Sequence, residues 1–209
     1  MTDAGGRRPE IDRRLDRIIN LSDGVFAIAI TLLILDIRVP EIPEGMVATE
    51  LPGELLALWP KYLGYLLSFL GISVFWNIHN SIFHAIRSYD RGLMWLNFLF
   101  LMFVAFLPFP TSLLGEYGSY QLPVAIYAGT LAISRLLLTV LYWYVTSPNR
   151  SIAEAQDPAT VRFFLIRGLT ITGIFLLSIA VSFYSVSAAI WSWLVLIVVD
   201  AVILRRRSH

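Results

Sequence analysis

The sequence predicts an all-α integral membrane protein with six transmembrane helices per chain and both termini in the cytoplasm, and three observations lead there. Of the 209 residues, 57% are hydrophobic and only 15% charged, whereas an ordinary soluble domain carries roughly 25% charged residues. The apolar residues are gathered into runs that reach or approach the ~20 residues a helix needs to cross ~30 Å of hydrocarbon. Finally, Lys and Arg concentrate in alternate loops, the pattern that orients membrane helices.

Taken in order, residues 1–17 form a polar N-terminal tail with Arg7, Arg8, Arg13, Arg14 and Arg17. The first apolar run follows without a small-residue cleavage site, so the tail reads as cytoplasmic rather than as a signal peptide. The predicted spans are 18–37, 61–84, 92–114, 119–146, 161–184 and 186–204, and a basic tail, 205–209, closes the chain. Arg87 and Arg91, Arg150 and Arg162, and Arg205 to Arg207 fall on the same side as the N-terminal arginines, which makes that side cytoplasmic. The opposite side has Arg38 and Lys61 in a first loop that also carries Glu41, Glu44, Glu50 and Glu54, so the external loop is net acidic. Trp59, Tyr62, Trp95, Tyr117, Tyr120, Tyr142 and Trp143 lie near span ends, where interfacial aromatics belong. Localisation to the cell membrane, with lipid as a partner and no nucleic acid, follows from this layout.

Cysteine is absent, which excludes disulfides, zinc-thiolate sites, iron–sulfur clusters and thiol nucleophiles. No cofactor or resident metal is expected. An intramembrane hydrolase has no support either, because no spacing motif pairs a serine with a base.

Ionisable side chains inside a span cost several kcal/mol unless paired or hydrated. Asp36 falls at the outer end of the first span, Arg167 and Asp200 are placed to snorkel toward an interface, and Arg135 sits in the middle of the fourth span and needs a partner. Asp23 opens the first span in the run Arg17-Ile18-Ile19-Asn20-Leu21-Ser22-Asp23-Gly24, and His79 lies in the cluster Trp76-Asn77-Ile78-His79-Asn80. Both clusters fall at cytoplasmic depth. The simplest arrangement joins Arg17, Ser22 and Asp23 by hydrogen bonds to Trp76, His79 and Asn97 of the third span. Such a network either fastens three helices together or also gates and senses protons.

Projected at about 100° per residue, Gly24, Ile28, Thr31 and Leu35 form one stripe of the first helix, with Leu32 on its shoulder. On an isolated helix this stripe serves packing. Repeated around a symmetry axis it makes apolar rings with one ring of hydroxyls, a constriction that gates ions by dewetting. Pro108 and Pro110 are expected to kink or stop the third helix near its outer end.

These residues resemble the transmembrane protein family that contains the lysosomal potassium channel and its six-helix prokaryotic homologues. The family's motif Arg-x-x-x-Phe-Ser-Asp reads Arg-Ile-Ile-Asn-Leu-Ser-Asp here, with Leu21 in place of phenylalanine. The run from Gly24 to Ile37, Trp76-x-x-His79 and the proline-containing third helix carry the likeness further. It is specific over the first half and rests on hydropathy over the second. The resemblance implies a homotetramer whose first helices line a central pore. It puts the narrowest ring at Ile28, further apolar rings at Leu32 and Leu35, and potassium preference at Thr31.

The expected function is a potassium-permeable cation channel, open to other monovalent cations and lacking the Thr-Val-Gly-Tyr-Gly carbonyl filter, with modest preference for potassium over sodium. The alternative is a proton-coupled secondary transporter using Asp23 and His79 as its relay.

Overall fold

The computed structural model describes residues 7–88, 90–148, 150, 152–153, 156–193 and 196, with side chains from Leu15 onward. Seven α-helices of ten or more residues lie among these residues: α1 (Arg7–Leu32), α2 (Val47–Ala57), α3 (Trp59–His84), α4 (Arg91–Phe106), α5 (Pro108–Tyr117), α6 (Gln121–Thr146) and α7 (Pro158–Ser182). Two short 3-10 turns, Leu33–Asp36 and Glu44–Met46, lie between α1 and α2. No strand is present among the described residues, only an isolated bridge between Ile86 and Ala153.

Among the described residues, five stretches are long and apolar enough to cross a membrane: Leu15–Asp36, Trp59–His84, Arg91–Tyr117, Gln121–Thr146 and Pro158–Ser182. The 26 residues of α3 reach about 39 Å at 1.5 Å per residue, enough for the hydrocarbon and part of each interface. The sixth expected span, 186–204, is helical over 186–193 and at 196. Its remainder, with Asp200 and the tail 205–209, lies outside the described residues.

Three features depart from the sequence reading by more than a few residues. Helix α1 is already formed at Arg7, well inside the stretch read as a tail. The acidic loop read as external contains α2, which hydropathy could not flag because Glu50, Pro52 and Glu54 interrupt its apolar residues. The third span divides at Leu107 into α4 and α5. Pro108 has no N–H to offer the Val104 carbonyl, and the Leu107 N–H takes that acceptor instead at 3.2 Å.

Helix α5 is then secured by hydroxyls. Ser68 of α3 bonds Thr111 of α5 at 2.6 Å and Tyr127 of α6 at 3.0 Å, and Gly64 leaves room for the Thr111 backbone to approach α3. The most extensive helix pairing is α6 with α7, where Gly168 packs directly against the Thr139 side chain. This close approach buries Arg167, at 8% exposure, instead of letting it snorkel to an interface. The apolar core runs through α1, α3, α4 and α6 and includes Phe26, Phe75, Phe83, Phe100, Val104 and Leu131.

On the side read as cytoplasmic, the α6–α7 connection clasps the α3–α4 connection. The Arg87 and Ser88 N–H groups donate to the Ile152 carbonyl at 2.8 and 3.2 Å. Asp90 caps α4 by accepting from the Leu93 N–H at 2.7 Å and receives the Tyr144 hydroxyl at 2.7 Å. Arg150 lies 3.9 Å above the Tyr144 ring and pairs with Asp90 at 3.6 Å.

Candidate pore-lining helix and its supporting network

Helix α1 has two unlike faces. Ser22, Phe26, Ala29 and Leu33 recur at helical spacing and are buried against α3 and α4. Gly24, Ile28, Thr31, Leu32 and Leu35 lie on the other side and are exposed, Ile28 at 60% and Leu35 at 68%. Of the five candidate spans this one is the least covered by its own chain, with 22% of its most apolar window buried against 61% in α6. The Thr31 hydroxyl bonds the Ala27 and Ile28 carbonyls, each at 2.9 Å. With its proton engaged by the helix, the oxygen keeps a lone pair for an outside donor or cation.

The buried face is pinned by a one-directional chain of hydrogen bonds. The Asn97 carbonyl oxygen can only accept, so His79 Nε2 donates to it at 2.8 Å. The Asn97 amide donates to Ser22 Oγ at 3.1 Å, and Ser22 donates to the Ile18 carbonyl at 2.8 Å. His79 is 2% exposed and boxed by aromatic rings: Phe83 stacks at 4.2 Å, Phe100 at 5.7 Å, and Phe26 meets it edge-on at 5.5 Å. A second tie lies beside the first, where Trp76 Nε1 donates to Asp23 Oδ1 at 2.8 Å.

Five of the six residues expected in one network therefore fall into two neighbouring ties. Arg17 does not join them. It is exposed, with no hydrogen bond or ion pair to a described residue. Six residues separate it from Asp23, which on a helix means about 9 Å of rise and about 120° of rotation, too far for mutual support. Asp23 and His79 bond different partners and not each other. No group of three His, Asp or Glu side chains able to hold a metal ion occurs among the described residues.

A family model described as endosomal/lysosomal potassium channel TMEM175 matches residues 17–108, from Arg17 through the first three apolar spans to the proline break. A relative from Chamaesiphon minutus, named a potassium channel, is 38% identical over 174 residues, covering 81% of this chain and 85% of its own length. The chain belongs to the TMEM175 family. Another TMEM175 relative named a potassium channel, from Streptomyces collinus, is 39% identical over 159 residues, 72% of this chain and 74% of that one. The human relative, named an endosomal/lysosomal proton channel, is 39% identical over 98 residues, 44% of this chain but only 19% of the human protein. The fold agrees. A crystal structure of a lysosomal potassium-selective channel TMEM175 homologue from Chamaesiphon minutus superposes with a TM-score of 0.79 at 34% identity, over 91% of this chain and 97% of that one.

Sequence reading missed two further clusters in this TMEM175 protein. One is the Asp90–Tyr144–Arg150 clasp, and the other joins Asp36 to Ser112 and Lys61 to Glu116 just past the C-terminal end of α1. Their members lie far apart in the chain, so no local pattern announces them.

Proposed function

We propose that this chain is one subunit of a homotetrameric, potassium-permeable cation channel in the cell membrane, with α1 lining the central pore and both termini cytoplasmic. The observation that carries the reading is the bare face of α1, on which Ile28, Thr31, Leu32 and Leu35 face outward while Phe26 and Ser22 fasten the helix to its own bundle. The potassium-channel names of its relatives in Chamaesiphon and Streptomyces support it.

One chain contributes one lining helix, so an ion-sized opening needs a ring of about four. Ile28 would form the narrowest ring, with Leu32 and Leu35 above it, and so apolar a neck resists wetting. Thr31 would ease dehydration, because its hydroxyl already donates to the helix and turns acceptor capacity toward the ion. Potassium sheds water more readily than sodium, so poor replacement ligands favour it modestly. External glutamates would enrich cations at the mouth. No resident cofactor or metal enters this scheme, and potassium is the permeant ion.

A second reading, proton movement through Asp23 and His79, draws on the proton-channel name of the human relative. The separate bonding of the two side chains, and the aromatic box that seals His79, favour a fastening role instead.

Reconstitution into planar bilayers, together with native mass spectrometry in mild detergent, tests the proposal. Unitary currents from a four-chain particle are expected. Saturable flux without unitary events, or a particle that is only monomeric, would contradict it.

A further inference from the structure

The outer end of α1 is held by contacts that pore lining alone does not require. From Leu33 to Asp36 the helix tightens into a 3-10 turn, closed by the Ile37 N–H on the Ile34 carbonyl at 3.1 Å. Such turns have poorer hydrogen-bond geometry than an α-helix, so the direction of their side chains depends on what they dock against. Asp36 docks on α5, where Ser112 Oγ donates to its carboxylate. Three residues further along α5, Gly115 lets this contact close. A Cβ there would stand 3.4 Å from Asp36 Oδ2 and 3.2 Å from Lys61 Cγ. Lys61, in the first turn of α3, completes the cluster by pairing with Glu116 at 2.8 Å.

Three elements thus converge beside Leu35, the outermost apolar residue of the exposed stripe. Helix α5 is a separate rod beyond the break at Leu107, fixed to α3 and α6 through Thr111, Ser68 and Tyr127. Any shift of α5 is therefore passed to Asp36, and from Asp36 to its neighbour Leu35.

We propose that Asp36 is a positioning residue of the channel: held by Ser112, it fixes the Leu35 ring against α5 and so sets the width of the external mouth. This rests on the pore reading of α1. The role belongs to the hydrogen bond rather than to the negative charge, and the two can be separated. Ser112→Ala removes the donor and leaves the carboxylate. Asp36→Asn keeps an acceptor and removes the charge. Asp36→Ala removes both.

Because the chain has no cysteine, Leu35→Cys gives a single thiol reporter at the mouth, read as its rate of modification by a cationic methanethiosulfonate reagent alongside unitary conductance. Ser112→Ala and Asp36→Ala are expected to raise the modification rate and conductance several-fold, with Asp36→Asn close to the parent. If Asp36→Asn instead follows Asp36→Ala while Ser112→Ala matches the parent, the carboxylate acts by charge and positioning is overturned. If all three match the parent while Ile28→Asn alters conductance, the latch fails and the pore reading stands. If Ile28→Asn is silent as well, the pore reading has failed and the latch falls with it.

Discussion

Trp76 donates its indole N–H to the Asp23 carboxylate at 2.8 Å, tying α3 to the opening turns of α1 on the same level as the buried His79–Asn97–Ser22 chain. The two ties differ in burial, since Trp76 is 41% exposed while Ser22 and Asn97 are fully buried. That difference sets what each is worth.

Asp23→Ala removes the acceptor of a partly exposed interhelical bond, and such bonds in membranes average about 0.6 kcal/mol. A small fall in the detergent melting temperature and a weakened assembly are expected, largely restored in Asp23→Asn, which keeps an oxygen acceptor. Unchanged melting and assembly in Asp23→Ala would leave the Trp76 bond without a structural role.

Asn97→Leu is expected to cost more. It strands the His79 Nε2 donor in its aromatic box and withdraws the amide from Ser22, and a buried unsatisfied group costs about 1–3 kcal/mol. Thermal unfolding followed by size-exclusion chromatography should show a larger loss than Asp23→Ala does. An equal or smaller loss would show that the chain of hydrogen bonds does not hold α1 to the bundle.

The clasp at Asp90 carries a pH dependence. Partial burial pushes its carboxyl up, but the Leu93 N–H, the Tyr144 hydroxyl, the Arg150 guanidinium and the Gly92 N–H outweigh this and hold it below its ordinary 3.8. A carboxyl lowered in the folded state contributes stability above its ordinary value and loses it as pH falls through the lowered one. Asp90→Ala, which also deletes the α4 cap, should cost about 0.5–2 kcal/mol at pH 7. The gap to the parent should hold at pH 5 and shrink below 3.8. A gap that widened on acidification would contradict the assignment.

The parts legible from sequence were those with a local or periodic signal. Runs of apolar residues located the five described spans, and the Pro108–Pro110 pair foretold the division of the third. The motif from Arg17 to Asp23 pointed to the family, and the period of α1 put Gly24, Ile28, Thr31 and Leu35 on one stripe, a face the structure leaves exposed. Three-dimensional partners were harder. The motif sets Arg17 and Asp23 close in sequence, but helix rotation carries them apart. Ser112 and Asp36 are 76 residues apart and Tyr144 and Asp90 are 54 apart, separations at which no periodicity speaks. Helix α2 escaped because its carboxylates and Pro52 gave it the composition of a loop.

The central claim is that α1 lines the conduction path with its narrowest ring at Ile28, and single-channel recording of Ile28→Asn under a potassium/sodium gradient tests it most directly. An amide at every subunit's neck should wet the constriction, so unitary conductance should rise and the reversal potential should move from the potassium side toward zero. Thr31→Val should lower potassium preference with assembly intact, and Phe26→Leu, on the buried face, should affect folding more than permeation. If Ile28→Asn and Thr31→Val both left conductance and reversal potential at parental values, α1 would not line the pore.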